Sequence, residues 1–258
     1  ILNTLGLETT ALGFIAGFTG KAIEDGLASQ GIHTDFIHLP EGNSRINVKV
    51  KHGDETEING QGPVITDEAI NELFAKLDTL TKEDILVLAG SIPNTLPEDI
   101  YEKILARLES KGIRVVVDAT KDLLLNVLKY HPFLIKPNNH ELGEMFGTVC
   151  KTDEDIVHYA KKLQEKGAVN VLISMAGDGA ILITEDGQNI KMGTPKGKVV
   201  NSVGAGDSMV AGFITGYIRG GNYEEALKSG TAAGSATAFS EGLASLEMYE
   251  KMLNQISE

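Results

Sequence analysis

The sequence predicts an α/β fold in which a mostly parallel β-sheet is covered by helices on both faces. Two patterns in its 258 residues support this prediction. Short runs made almost wholly of Val, Ile, Leu and Ala are typical of strands that are buried on both sides. These runs alternate with segments of helical periodicity, which favours crossover connections between parallel strands. The predicted strands are residues 11–15, 85–89, 115–117, 133–135 and 171–173.

Helices and two hairpins account for most of the remaining chain. Apolar residues recur at helical spacing near residues 20–30, 67–80, 97–110, 123–129, 153–166, 207–219, 223–240 and 245–256. Residues 45–59 instead alternate apolar and polar side chains and turn at His52-Gly53-Asp54, which predicts a β-hairpin. We expect it to form a small lid, about residues 43–60, beside the sheet. A second hairpin is predicted over residues 180–192, along the sheet edge.

Composition excludes several classes of protein. The 23 Lys and Arg residues against 36 Asp and Glu residues give a formal charge of −13, which argues against a nucleic-acid partner. No run approaches the roughly 18 consecutive apolar residues that a membrane span needs. The single cysteine, Cys150, excludes an internal disulfide and fits a reducing, cytoplasmic location. We expect one domain over residues 1–258, without nucleic-acid or membrane partners.

Polar residues follow four of the predicted strands at the point where each strand ends. They are Ser91, Asp118, Lys136 with Asn138, and Ser174. In open parallel sheets, the ligand crevice lies beyond the carboxyl ends of the strands. Any one of these residues could simply cap a helix or lead the chain into solvent. A lysine directly after a buried strand is unusual, however, so we expect the set to line one shared ligand-binding edge.

The strongest local signal is the glycine-rich segment 201–209, Asn-Ser-Val-Gly-Ala-Gly-Asp-Ser-Met, which leads into an amphipathic helix. Gly204, Ala205 and Gly206 would present backbone amides at a helix N-terminus and so form an anion hole for a phosphoryl group. Asp207 could accept a proton from an attacking hydroxyl there. A glycine loop with an Asp cap is the structural alternative. The sequence contains neither a Walker A loop nor a dinucleotide fingerprint, which argues against an NAD-linked oxidoreductase.

These segments resemble the phosphofructokinase B group of the ribokinase-like sugar kinases, and the likeness covers essentially the whole chain. Residues 201–209 are similar to the C-terminal signature of that family. Residues 136–141, Lys-Pro-Asn-Asn-His-Glu, and residues 90–93, Gly-Ser-Ile-Pro, are similar to two further family motifs. The segments that most resemble the bacterial 1-phosphofructokinase branch are residues 44–49, 56–59 and 132–138.

The resemblance implies a ribokinase-like fold and ATP-dependent phosphorylation of D-fructose 1-phosphate to fructose 1,6-bisphosphate. It assigns Asp207 as the base, and Gly204, Ala205 and Gly206 as the anion hole over the transferring group. Lys136 would approach the nucleotide phosphates. The residues that would line ATP are Ser174, Gly177 and Gly179, together with Gly206 and Asp207.

The resemblance also implies contacts for the metal and the sugar. Asn138 and Glu141 would hold Mg²⁺, with Glu141 acting through water, and Arg45 and Ser91 would grip the phosphate already on the sugar. Ala176 and Lys121 stand where relatives commonly carry glycine.

Several alternatives stay open at this stage. Tagatose-6-phosphate kinase and 6-phosphofructokinase are the near alternatives, and a non-catalytic sensor of sugar phosphates or nucleotides on the same fold is a different class. An exposed lid with an apolar face implies a homodimer, because a second copy could cover it. The first lid strand and the glycine motif of the family are expected upstream of residue 1.

Overall fold

The computed structural model describes residues 1–52 and 54–257 and has the predicted α/β architecture. Its strands are β1 (Thr10–Ala11), β2 (Phe14–Ala16), β3 (His33–Thr34), β4 (Ile37–Leu39), β5 (Asn47–His52), β6 (Asp54–Asn59), β7 (Ile85–Ala89), β8 (Arg114–Asp118), β9 (Leu134–Ile135), β10 (Asn170–Ser174), β11 (Ala180–Ile183) and β12 (Asn189–Met192). Its helices are α1 (Gly17–Ser29), α2 (Asp67–Leu77), α3 (Ile100–Leu108), α4 (Lys121–Val127), α5 (Asn139–Met145), α6 (Asp153–Glu165), α7 (Ala205–Gly220), α8 (Tyr223–Ala238) and α9 (Leu246–Ser257).

The central sheet has six strands in the order β12-β11-β10-β9-β8-β7. Strands β7 to β10 are parallel, and β11 and β12 continue the sheet as an antiparallel hairpin at one edge, as the sequence predicts. The prediction of one strand over residues 11–15 is wrong. This segment forms two short strands, β1 and β2, which pair with β3 and β4 in separate small sheets. Gly13 lies at the break, where a residue without a side chain adds no packing to a strand.

Alternating side chains on the central strands divide the apolar interior between the two faces of the sheet. On β8, Val115 and Val117 pack into the core formed with helices α2 to α6. Val116, between them, packs into the core formed with α7 and α8. Helix α9 covers α8 through Tyr249 and Met252. Each described helix is too short or too polar to cross a membrane.

Strands β5 and β6 form an antiparallel hairpin that is separate from the central sheet, with Asn47 opposite Asn59. The predicted turn residue Gly53 lies outside the described residues. The large apolar side chains that stay exposed along this hairpin are Ile46, Val48, Val50 and Ile58. Because side chains alternate between the faces of a strand, residues 46, 48 and 50 share one face.

Candidate active site

The carboxyl ends of the parallel strands bring the predicted polar residues to one edge of the sheet. Strand β7 leads into Gly90 and Ser91, β8 ends at Asp118, and β10 ends at Ser174. Backbone hydrogen bonds continue beyond the strands: the amide of Gly90 donates to the carbonyl of Asp118 at 3.2 Å. The amide of Ser174 donates to the carbonyl of Pro137 at the same distance. These bonds hold the loops after neighbouring strands next to each other.

Lys136, directly after β9, lies at the centre of this edge. It is only 6% exposed, and its Nζ lies 3.3 Å from Oδ1 of Asp118. Burial raises the pKa of the Asp118 carboxyl, the Lys136 ammonium opposes that rise, and the charges of Asp207 and Glu141 add to it. The acids of α5 and α7 are therefore close enough to Asp118, at the end of β8, for their charges to act on it.

The glycine-rich segment forms the start of helix α7. Gly204 precedes the helix with φ +79°, a left-handed conformation that favours glycine. The amide of Ala205 donates to the carbonyl of Ser202 at 3.2 Å. Among the described residues, the amides of Gly206 and Asp207 have no hydrogen-bond partner, as is usual in a first helical turn. The donors open to an anion are thus these two amides, whereas that of Ala205 is used within the turn.

The side chain of Asp207 projects from the first turn of α7 into solvent. Within the part of the chain that the structure describes, it makes no hydrogen bond and no ion pair. The positive end of the helix dipole stabilises a carboxylate at this position. An exposed and unbonded carboxylate beside free amides can accept a proton from a group bound over the helix end.

Asn138 and Glu141 form a capping box at the start of helix α5. Oδ1 of Asn138 accepts hydrogen bonds from the amides of His140, at 2.9 Å, and of Glu141, at 2.8 Å. Oε2 of Glu141 accepts the amide of Asn138 at 2.8 Å, and Oε1 has no partner among the described residues. The amide oxygen of Asn138 is therefore already used, and one carboxylate oxygen of Glu141 stays open.

This donor set fits Mg²⁺ only in part. Mg²⁺ binds oxygen, keeps several waters and is commonly held by one or two carboxylates together with substrate phosphates. The open oxygen of Glu141 satisfies that chemistry. No group of three or more His, Cys, Asp or Glu side chains within residues 1–52 and 54–257 is arranged to hold a metal by itself.

The predicted nucleotide loop is a tight turn between β10 and β11. The amide of Met175 donates to the carbonyl of Gly179 at 2.8 Å, which closes the turn. Gly179 has φ +94°, and a Cβ there would come within 2.0 Å of the carbonyl oxygen of Met192, so only glycine fits. Gly177 is exposed and borders open space, so a ligand could approach its backbone closely.

Arg45 and Ser91 line the same cavity, which has a volume of about 560 Å³. Most of its wall is apolar, and strand β7, residues 12–14 and helices α2 and α3 all contribute to it. Tyr101 of α3 also lines the cavity, and its hydroxyl donates to the carbonyl of Ala89 at 2.9 Å. Burial raises the pKa of Tyr101, and the charge of Asp118 adds to the rise, so the cavity borders the charged cluster.

Two features of the site could not be predicted from the sequence. Tyr101 lies within a helix, well past the end of β7, and no motif distinguishes it. The contact of Lys136 with Asp118 depends on the register of β8 and β9, although the strand-end acid and the unusual strand-end lysine are each visible in the sequence.

The comparisons with known proteins agree with the geometry. The pfkB family carbohydrate kinases match residues 1–248. The chain is 50% identical over 250 residues to the 1-phosphofructokinase of Bacillus subtilis (strain 168), covering 97% of this chain and 82% of that protein. It is 38% identical over 257 residues to a D-tagatose-1-phosphate kinase of Bacillus licheniformis, and the match covers 99% of this chain and 83% of that protein. A solved Staphylococcus aureus structure, provisionally named a phosphofructokinase, matches with a TM-score of 0.90 at 46% identity. The match covers 98% of this chain and 82% of that chain.

Proposed function

This chain belongs to the pfkB family of carbohydrate kinases, and we propose that it transfers the γ-phosphoryl group of ATP to D-fructose 1-phosphate, giving fructose 1,6-bisphosphate. The 50% identity with the Bacillus subtilis 1-phosphofructokinase carries the choice of substrate. The D-tagatose-1-phosphate kinase relative makes D-tagatose 1-phosphate the second candidate, since the two sugars differ only in the configuration of one carbon. Because ATP is the donor and the single cysteine is free, we place the reaction in the cytoplasm.

Asp207 is the general base in this reaction. Its carboxylate takes the proton of the C6 hydroxyl while the hydroxyl oxygen attacks the γ-phosphorus, and the bond from that phosphorus to the oxygen of ADP breaks. Gly204, Ala205 and Gly206 form the turn of the anion hole. The open amides of Gly206 and Asp207 support this role, because they can stabilise charge on the transferring group without rearrangement.

Lys136 and the loop after β10 bind the nucleotide. The buried ammonium of Lys136 lies beside Gly206, where it can pair with phosphate oxygens. Ser174, Gly177 and Gly179 line the path of ATP, and the open space beside Gly177 supports a close approach of the nucleotide.

Glu141 holds Mg²⁺ through its open oxygen, directly or through water, and Asn138 fixes the orientation of that carboxylate by capping α5. When it is bound, Mg²⁺ neutralises charge on the nucleotide phosphates. In this proposal Asn138 is not itself a ligand of Mg²⁺ but positions the ligand Glu141.

Arg45 and Ser91 grip the phosphate already on the sugar. Both line the cavity beside the charged cluster, and a guanidinium binds a phosphate through paired hydrogen bonds. Because Arg45 precedes the β5–β6 hairpin, a movement of that hairpin would carry Arg45 over the sugar. The hairpin thus acts as a lid.

We further propose that the protein is a homodimer in which the two lids cover each other. The support is the exposed apolar face of the hairpin, on which Ile46 is 61% and Ile58 is 60% exposed. Contiguous exposed apolar side chains commonly mark a contact surface, and a second copy of the chain offers a matching one.

The test of the proposed function is ATP-dependent turnover of fructose 1-phosphate, tagatose 1-phosphate, tagatose 6-phosphate and fructose 6-phosphate. We expect the highest kcat/KM with fructose 1-phosphate. Arg45→Ala should raise the KM for the sugar phosphate about tenfold or more and leave the KM for ATP unchanged, because the lost hydrogen bonds go to a charged group. Lys103→Ala, which removes an exposed ion pair with Asp99, is the matched control. Binding of ATP and sugar phosphate without turnover would favour the sensor alternative instead.

A further inference from the structure

We propose that Asp118 is a positioning residue, which holds the ammonium of Lys136 against the first turn of α7 so that it meets the nucleotide phosphates at the anion hole. This role presupposes the proposed kinase function. Asp118 acts on the nucleotide through that ammonium, because its carboxylate lies 3.3 Å from Nζ of Lys136 and is paired with it.

The strand register makes the contact possible. Val117 of β8 pairs with Ile135 of β9, so the next residue on each strand, Asp118 and Lys136, emerges at the same level of the sheet edge. Val117 and Ile135 are fully buried, which fixes both backbones. The carboxylate of Asp118 is therefore joined to a rigid strand end by a single methylene group. The ammonium of Lys136, in contrast, lies at the end of a flexible four-carbon side chain. Asp118 is the member of the pair that sets the position of the other.

The surroundings leave few other ways to hold the lysine. Among the described ion pairs, Asp118 is the one carboxylate within 4.0 Å of the Lys136 ammonium. Nζ also lies 3.1 Å from the point that a Cβ at residue 206 would occupy, which places it next to the segment proposed as the anion hole. The other ionisable groups that face the pair are Glu141 of α5, Asp207 of α7 and Tyr101 of α3. Without Asp118, the ammonium would be drawn toward Glu141 or Asp207, away from its place under the phosphates.

A double-mutant cycle tests this role, with ATP affinity measured by calorimetry and both KM values measured by turnover. Asp118→Asn keeps the shape and removes the charge, and we expect it to weaken ATP binding about tenfold or more while the KM for the sugar phosphate stays unchanged. Lys136→Met should weaken ATP binding at least as much. In the Lys136→Met background, Asp118→Asn should cause no further loss of ATP affinity, since Asp118 acts through the lysine. Asp153→Asn, which breaks an exposed pair with Lys191, is the matched control and should leave ATP binding unchanged.

Two results would overturn the proposal: an unchanged ATP affinity in Asp118→Asn, or a loss that persists in full in the Lys136→Met background. If Asp118→Asn does not fold, Asp118→Glu replaces it in the same cycle, because it keeps the charge and moves it by one methylene. We expect that variant to weaken ATP binding only where Lys136 is present. Calorimetry measures ATP binding without the sugar substrate. A wild-type protein that binds ATP but shows no turnover would therefore contradict the proposed kinase function. The double-mutant cycle would still decide whether Asp118 positions Lys136.

Discussion

The ammonium of Lys136 lies 3.1 Å from the point at which a side chain at Gly206 would begin. A Cβ at that distance requires its neighbour to shift by a few tenths of an ångström, and this ammonium is paired with Asp118. The glycine at position 206 therefore leaves room for a cation and for an open amide at once. The proposed anion hole and the buried lysine therefore lie side by side, with open backbone amides next to a positive charge.

Gly206→Ala should displace that ammonium. We expect kcat/KM for ATP to fall roughly 3- to 10-fold, because even small errors in position are costly in phosphoryl transfer. The backbone of Gly206 is helical, so the variant should fold normally. Steady-state kinetics checks the prediction. Gly26→Ala, in α1 beside open space, is the control and should leave the kinetics unchanged. Wild-type kinetics in Gly206→Ala would show that the close approach of the Lys136 ammonium to residue 206 does not matter for activity.

Asp207→Asn should abolish turnover and leave ATP binding nearly intact. An amide cannot accept the hydroxyl proton, so we expect kcat to fall roughly 10²- to 10⁴-fold. Calorimetry with ATP and an assay of turnover measure the two effects separately. The control is Asp67→Asn, which removes an acid from the first turn of α2 and so reproduces the change in charge at a helix start. Unchanged activity in Asp207→Asn would reject the assignment of the base.

Much of the fold follows from local patterns in the sequence. The apolar run predicted at residues 85–89 is strand β7, and the helix after the glycine loop is α7, because buried runs and amphipathic periodicity are local properties. Helix α5 carries only two large apolar residues, Leu142 and Met145, which is too few for periodicity to reveal. Its start signal, Asn138 followed three residues later by Glu141, fits a capping box, whereas the family resemblance implies only a metal-binding role for the two residues.

The candidate site is only partly visible in the sequence. Its members can be named because each follows a strand or lies in a motif, and the edge they share follows from parallel strands. The pairing of Asp118 with Lys136 depends on register and on side-chain direction, which no local pattern encodes. Likewise, the use of the Ala205 amide by Ser202 depends on the turn that the chain adopts there.

The two residues of the α5 capping box should separate into different roles. Glu141→Gln still accepts the Asn138 amide, so we expect a normal Tm but a requirement for Mg²⁺ that rises roughly 10- to 100-fold. Asn138→Ala removes the acceptor of two backbone amides and should lower the free energy of unfolding by about 0.5–2 kcal/mol. Titration of activity with Mg²⁺ and chemical denaturation measure the two effects. Asn138→Asp keeps the acceptor and is the control. A rise in the Mg²⁺ requirement for Asn138→Ala that equals or exceeds the rise for Glu141→Gln would make Asn138 the metal ligand.

Ala176 should be a strained residue in the loop after β10. Its φ is +48°, which costs a residue with a Cβ about 1–2 kcal/mol. Ala176→Gly should therefore raise the free energy of unfolding by about 0.5–1 kcal/mol, after the entropy that glycine loses on folding is subtracted. Denaturant unfolding measures the change. Ala22→Gly, at an exposed position in the interior of α1, is the control and should destabilise the protein by about 1 kcal/mol. A loss of stability in Ala176→Gly would contradict the strain.

The exposed face of the β5–β6 hairpin should hold two copies of the chain together. Val48 lies opposite Ile58 on this face, and both are exposed in a single copy. Val48→Lys places a charge in the centre of the proposed contact, where its burial without a partner is costly. Light scattering should give twice the chain mass of 27.6 kDa for the wild type and the single mass for the variant. Val149→Lys changes an exposed valine outside the hairpin and should leave the dimer intact. If Val48→Lys stays dimeric, the two copies contact each other through another surface. The hairpin would then take no part in the dimer contact, and each lid would close over the sugar of its own copy without help from the partner.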